Sequence, residues 1–234
     1  MLESKTLQEA ARNFADNPEP RCACLLLLDT SASMQGIPIN SLNKGLQSFK
    51  EALMKNNLAR LRVEIAIITF DHEVRVVQDF EDPEHFSPPS LDALGSATNM
   101  AAAIQKGLDM IQARKIIYRT YGIPYFRPWL FLITDGCSTE DDFVIKQTAQ
   151  RVKDEEHDKR IVCYAVGVQG ADMMELGKIV SDPLPLKDLN FEELFKWVSA
   201  SLGEVSNSKP KQSDLEPDDP VQLPLPTKWT SLNG

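Results

Sequence analysis

Apolar positions in this chain fall into short runs separated by longer amphipathic stretches. Cys22 to Leu28 is a continuous apolar run closed by Asp29, and Trp129 to Thr134 (WLFLIT) is a second, closed by Asp135. Runs of that length, apolar at every position, suit strands buried on both faces of a parallel sheet. Leu61 to Phe70 (LRVEIAIITF) and Ile161 to Val168 (IVCYAVGV) are rich in β-branched residues and read as further strands. Val74 to Phe80 alternates and carries charges, which predicts an edge strand. Between them, Leu42, Leu46, Phe49, Leu53 and Met54 recur at helical spacing within Ile39 to Asn56. Ala101 to Tyr118, Asp141 to His157, Asp172 to Val180 and Phe191 to Leu202 read as helices too. In the last, Phe191, Leu194, Phe195 and Val198 share one face.

Strands alternating with helices predict a layered α/β fold around a mostly parallel sheet. No internal repeat of fixed period is found. The ends differ from this pattern. Residues 1–19 read as a polar leader, 20–203 as one folded domain, and 204–234 as a flexible tail. That tail holds Pro210, Pro217, Pro220, Pro224 and Pro226, five of the fifteen prolines, which favours polyproline II character. Within it, Leu223-Pro-Leu-Pro is also a candidate for docking in an aromatic groove, with Trp229 as an anchor.

Composition narrows the function classes. With 42% hydrophobic and 25% charged residues among 234, the chain is long enough for one domain with a buried core. Lys and Arg total 25 against 34 Asp and Glu, a net charge of −9. Binding to nucleic acid or to anionic membranes needs the opposite balance. No apolar stretch reaches the roughly 20 residues of a membrane span. The first twenty residues carry charges throughout, unlike a secretory signal. Four cysteines without a CxxC suggest free thiols, with Cys22, Cys24 and Cys163 buried in strands, and a cytoplasmic location.

Candidate chemistry gathers where strands end, because ligands of open α/β sheets bind at the carboxyl ends of strands. Asp29-Thr-Ser31-Ala-Ser33 puts one carboxylate and two hydroxyls on a tight turn. Thr98 lies just ahead of the Ala101 helix, and Asp135-Gly136 follows the WLFLIT strand. Two carboxylates and three hydroxyls, with no Cys or His, suit a hard oxygen-preferring cation such as Mg²⁺ or Mn²⁺. Each piece also has a plainer reading: Asp29, Ser31, Ser33 and Thr98 as helix caps, and Asp135-Gly136 as an ordinary turn. His72, His85 and His157 form no metal-binding spacing and read as surface residues. The acidic run Asp154 to Asp158 reads as a solvated helix end. The aromatic stretch Tyr121 to Trp129 reads as core under a loop, or alternatively as a partner surface beside the metal.

DTSAS, then Thr98, then a buried strand ending in TDG, in that order, resembles the von Willebrand factor A domain with its metal-ion-dependent adhesion site (MIDAS). The resemblance covers about residues 20 to 203. It implies a three-layer α/β/α, Rossmann-like fold with one antiparallel edge strand, Val74 to Phe80. It also implies that Ser31, Ser33 and, with ligand bound, Thr98 coordinate the metal directly, while Asp29 and Asp135 act through waters. A partner's Asp or Glu carboxylate then completes the shell. The approach Gly95-Ser-Ala-Thr98 departs from the Gly-Gly-Thr of many members. The stretch Tyr118 to Trp129, running into LFLITDG, is similar to the bacterial cytosolic YegL/TerY-like branch. That branch is associated with tellurium-resistance and stress gene clusters, beside a protein kinase and a PP2C-type phosphatase.

The resulting expectation is a non-enzymatic, metal-dependent protein-interaction module. An adaptor subunit for an AAA+ ATPase is an alternative. A metal-dependent phosphohydrolase is a weaker one: the dehalogenase-type motif needs a second Asp at the position of Ser31, and no nucleophile elbow or P-loop lysine is present.

Overall fold

The computed structural model describes Phe14 and residues 17–136, 138–210 and 221–230. Six strands form one sheet in the order β3-β2-β1-β4-β5-β6. They are β1 (Cys22–Asp29), β2 (Val63–Phe70), β3 (Val74–Glu81), β4 (Trp129–Thr134), β5 (Val162–Gly167) and β6 (Leu184–Pro185). All neighbours run parallel except β2 and β3, whose antiparallel ladder carries two register shifts. Among the described residues the α-helices are α1 (Ile37–Lys55), α2 (Asn57–Arg62), α3 (Met100–Thr120), α4 (Asp142–His157), α5 (Met173–Ile179) and α6 (Phe191–Asn207).

Alternation along β1 explains its apolar run. Cys22, Cys24, Leu26 and Leu28 share a core with Leu42, Leu46 and Phe49 of α1 and Phe191, Phe195 and Leu202 of α6. Ala23, Leu25 and Leu27 face the other core, with Met100, Ile104 and Leu108 of α3, Val152 of α4 and Leu176 of α5. A strand covered on both faces has no side left for polar residues. On the edge strand β3, Val76 and Val77 are exposed and Phe80 is buried.

The α1–α6 contact is close. A Cβ added at Gly45 would lie 2.8 Å from Phe191 Cβ and from Phe195 Cδ2. Phe191 Cβ is tied to its backbone, so one helix must move. Gly45→Ala is therefore expected to destabilise the fold by about 1–3 kcal/mol in urea unfolding, despite alanine's better helix propensity.

The structure revises several sequence boundaries. Leu61 and Arg62 close α2 rather than open β2. The side chain of Asn56 accepts from Leu58 N and Ala59 N and starts this extra helical turn. The two residues of β6 are too few for any periodicity to show. The helix from Phe191 continues to Asn207, with Val205 and Ser206 buried.

Of the flexible tail read at 204–234, residues 221–230 instead pack on the fold. Trp229 is 1% exposed, Leu186 pairs with Thr230, and Trp197 Nε1 donates to the Pro224 carbonyl at 2.7 Å. An aromatic cluster on α6 and the sheet provides the apolar seat that the tail's composition alone did not reveal. Residues 211–220 and 231–234, and most of the leader, lie outside the described residues. Within the leader, Phe14 is buried against Tyr118 and Tyr121.

In the aromatic stretch before β4, Tyr121 is 37% exposed and the later rings are core. Tyr125, Phe126 and Trp129 are buried, and Arg21 brackets the segment through Arg21 N→Pro124 O and Phe126 N→Arg21 O. It sits at the amino end of β4, so the alternative reading as a partner surface beside the metal is corrected. Cys22, Cys24 and Cys163 are buried free thiols. Burial pushes the Cys22 thiol up to about 12 and raises the other two. The three histidine side chains are at least half exposed.

Candidate metal centre

β1 and β4 are adjacent, with Leu28 opposite Ile133, so Asp29 and Asp135 emerge side by side at the carboxyl edge. Asp29 is fully buried. Its Oδ1 accepts from Ser31 N at 2.8 Å and its Oδ2 from the Thr134 hydroxyl. Both carboxylate oxygens are thereby aimed before any ligand arrives. The chain then turns through a 3₁₀ segment at Ala32–Met34. Ser31 Oγ lies 3.0 Å from Ser33 Oγ, and Ser33 Oγ donates to Asp135 Oδ1 at 2.7 Å.

Thr98 arrives from the other side. A Cβ built on Gly136 would be 3.6 Å from Thr98 Oγ1 and 3.9 Å from Asp29 Oδ2. The β4 turn therefore touches both groups, and the structure brings all five sequence-predicted residues to one place. Thr98 is gripped by the loop after β4: its N–H donates to Thr139 Oγ1, and Thr139 N donates back to its carbonyl, each at 3.1 Å.

Asp71, Thr139 and Glu140 support the site and were not read from the sequence. Asp71, at the end of β2, accepts from Thr30 Oγ1, Glu73 N and Arg75, and its carbonyl accepts from Asn99 N. It ties the β1 turn to the start of α3. These bonds and Arg75 hold its carboxyl below the usual range, against the opposing effect of burial. The approach is so tight that a Cβ at Gly95 would lie 2.0 Å from Asp71 Cβ, so only glycine fits. Gly95 in turn is bonded to the β1 turn through Ala32 N→Gly95 O and Gly95 N→Thr30 O. Glu140 caps α3 from forty residues away, accepting from Ala101 N and Ala102 N, and Ser138 Oγ donates to it. Thr134 orients Asp29. Asp71 repeats the strand-then-Asp pattern of Asp29 and Asp135, which could have flagged it. A cap reaching back across the fold, as Glu140 does, leaves no local signal.

The electrostatics suit a cation. Burial pushes the Asp29 carboxyl up, and the nearby Asp135 charge adds to this against the hydrogen bonds from Thr134 and Ser31. Burial also raises Asp135. The groups acting on Asp29 are hydroxyls, an amide and another carboxylate, so a positive ion would relieve both acids. Neighbouring oxygens on a Mg²⁺ octahedron with bonds of 2.0–2.1 Å are about 2.9 Å apart. The 3.0 Å between Ser31 Oγ and Ser33 Oγ is compatible with that edge, and Asp135 Oδ1 holds Ser33 Oγ by a hydrogen bond from outside it. Among the described residues no group of three or more His, Cys, Asp or Glu side chains forms a metal site; the donor set here depends on hydroxyls.

Residues 25–196 match the model of the von Willebrand factor type A domain. The chain belongs to the von Willebrand factor type A family. Such domains are metal-dependent protein-interaction and adhesion modules and are generally not enzymes. Among solved structures, the pilus adhesin SpaC of Lactobacillus rhamnosus GG aligns with a TM-score of 0.63 and 14% identity, over 79% of this chain and 31% of that one. The ArnB paralog VWA2 of Sulfolobus acidocaldarius aligns at 0.52 and 17%, over 78% and 45%. Proximal thread matrix protein 1 of the mussel byssus, in a structure with a zinc-occupied MIDAS motif, aligns at 0.52 and 16%, over 79% and 48%. These identities establish the shared fold. The chain spans less than half the length of each of these proteins. No curated protein matches it. No helix among the described residues is long and apolar enough to cross a membrane.

Proposed function

We propose that this von Willebrand A domain is a non-enzymatic protein-interaction module in which Asp29, Ser31, Ser33, Thr98 and Asp135 hold Mg²⁺ or Mn²⁺. The observation that carries this reading is the convergence of those five side chains, from three separate loops, at one edge of the sheet. The bound ion would supply a Lewis-acidic bridge to an Asp or Glu of the partner protein. The chain's own residues do the rest. Thr134 and Ser31 N aim Asp29, and Thr139 and the Glu140 cap fix Thr98 at the head of α3. Asp71 and Gly95 hold the β1 turn against the loop before α3. The two carboxylates balance the ion's charge, so an added partner carboxylate can be accepted by an otherwise acidic protein.

The proposed setting is the bacterial cytoplasm, in a stress or tellurium-resistance system with a protein kinase and a PP2C-type phosphatase as partners. It is supported by the similarity of the Tyr118 to Trp129 stretch to the YegL/TerY-like branch. Tyr125, Phe126 and Trp129 of that stretch are buried at the amino end of β4, away from the carboxyl-end loops that carry the five site residues. A domain of residues 20–203 accounts for the site, and α6 beyond 203 and the 221–230 segment add to it.

The test is retention of a partner from native extract on the immobilised chain. Retention in Mg²⁺ is expected to be lost on chelation and reduced about tenfold by Thr98→Ala, the effect of about 1.4 kcal/mol. Retention that survives both treatments would overturn the metal-bridge reading.

A further inference from the structure

The segment Val221 to Thr230 rests on the face of α6, with Thr230 beside Leu186 at the β6 edge of the sheet. Its sequence, VQLPLPTKWT, alternates leucine and proline. Proline fixes φ near −65° and pushes the preceding residue into an extended conformation, so Leu223 to Pro226 is biased to polyproline II. Such a backbone makes no internal hydrogen bonds, and proline has no N–H. What a receptor can read is its carbonyls and its apolar ridges. Trp197 does the first: its indole N–H donates to the Pro224 carbonyl at 2.7 Å. Aromatic rings supply the surface for the second. Tyr164 lies 5.4 Å from Trp129 and 5.6 Å, edge-on, from Trp197, and Trp229 lies 5.4 Å from Trp197.

The segment is held most firmly at its Trp229 end, with Val221 and Leu223 only partly buried against the core. Trp229 is buried, its carbonyl accepts from Lys187 N at 2.8 Å, and Thr230 pairs with Leu186. In mid-segment Leu225 is 76% exposed. A cavity of about 200 Å³ remains between Val221 and Leu223 of the segment and Trp129, Tyr164 and Val205 of the fold. The chain's own segment does not fill its seat.

We propose that the Trp197–Tyr164–Trp129 surface is a binding site for proline-rich segments, which residues 221–226 occupy in cis and a proline-rich segment of a partner protein occupies in their place. The pattern of the resident segment defines the ligand: apolar–Pro–apolar–Pro, with a larger apolar side chain than Leu223 favoured by the unfilled volume. The cis segment competes at the high effective concentration of a tethered ligand, so the site opens to partners only when it is displaced. This inference is independent of the metal reading.

The test is a titration of a fluorescein-labelled peptide of residues 221–230 into full-length protein, read by anisotropy. In the full chain carrying Pro224→Ala and Pro226→Ala, the peptide is expected to bind at least about tenfold tighter than in the wild type, because its competitor is weakened. Adding Trp197→Phe, which keeps a ring but loses the N–H, should cost about tenfold, as should replacing both prolines of the peptide by alanine. Near-UV circular dichroism checks that each variant is folded, and Leu223→Ser is a second way to weaken the cis segment. Absence of saturable binding in both opened chains, or their unfolding, would show the segment to be a fixed part of the fold and overturn the proposal. Equal binding of the alanine peptide would overturn it in favour of general apolar contact. A wild-type dimer dissociated by the peptide in sedimentation would assign the site to a second copy and overturn the partner assignment.

Discussion

Asp135→Ala is expected to abolish the binding of Mn²⁺ and Mg²⁺ while leaving the protein folded. Isothermal titration into metal-stripped protein should show one site in the wild type and an affinity at least about 100-fold weaker in the variant. The separation of binding from folding follows from where the carboxylate sits. Asp135 is only partly buried, and the bond it accepts comes from Ser33 at 2.7 Å on the exposed edge. Its negative charge also opposes ionisation of Asp29. Removing it relieves that repulsion, so the metal-free variant should melt at or slightly above the metal-free wild type. Saturating Mn²⁺ should then raise the wild-type melting temperature alone. At a hundred times the dissociation constant the ion contributes about 2.7 kcal/mol, or about 5–10 °C for a chain of this size. A variant that melts lower without metal would mean that Asp135 supports the fold. A variant that still gains stability with Mn²⁺ would place the ion elsewhere. Asp29→Ala would be a poorer probe, because that side chain is fully buried and holds Thr134 and Ser31 N. Its loss would mix folding with binding.

How much of this was legible beforehand depends on whether the signal is local. β1 and β4 could be read because each is covered on both faces, and that coverage writes an unbroken apolar run closed by an acid. Asp29, Ser31 and Ser33 could be read because a single tight turn places them two residues apart. Thr98 and Asp135, distant in sequence, were joined to that turn by the rule that ligands bind at the carboxyl ends of strands, and the family resemblance then gave the set its roles. The residues that brace the site were harder. Asp71 carried a usable sign in its strand-end position, whereas Glu140 and Thr139 act on α3 and Thr98 through the fold. In the Pro-rich tail the flexible reading gives way at 221–230, where the alternative with Trp229 as an anchor agrees with the structure. Proline and charge dominate its composition, yet one residue, Trp229, meets an aromatic surface assembled from β4, β5 and α6, which no window of sequence contains.

At the opposite end of the sheet, Glu64→Ala is expected to be strongly destabilising with no effect on metal affinity. Glu64 sits at the start of β2, 4% exposed. It is held by Arg21 Nε at 3.1 Å, by Arg114 Nε and Nη2 at 2.8 Å each, and by the Tyr118 hydroxyl. Phe14 covers both guanidinium groups at 5.3 and 5.5 Å from its ring centre. Removing the carboxylate leaves two buried cations facing each other, a loss of about 3–5 kcal/mol, readable as a shift of the urea midpoint. The same reasoning gives an unusual second arm. Replacing Glu64, Arg21 and Arg114 together by leucine or methionine should recover most of that loss, because a buried ion cluster gains little over apolar packing once its desolvation is counted. Failure of the triple variant to recover would show that the cluster specifies the seating of Phe14 and of the segment at Asn17 to Pro20. Arg114 lies fourteen residues along α3 from Met100, which opens the helix just after Thr98, or about 21 Å at 1.5 Å per residue. The charged cluster pins one end of that helix, and Asp71 with Glu140 pins the other. Metal affinity should therefore survive Glu64→Ala at temperatures where the variant remains folded. If affinity fell in proportion to stability instead, the two ends of α3 would have to be coupled, and the metal centre would depend on the whole helix and not on its capped first turn alone.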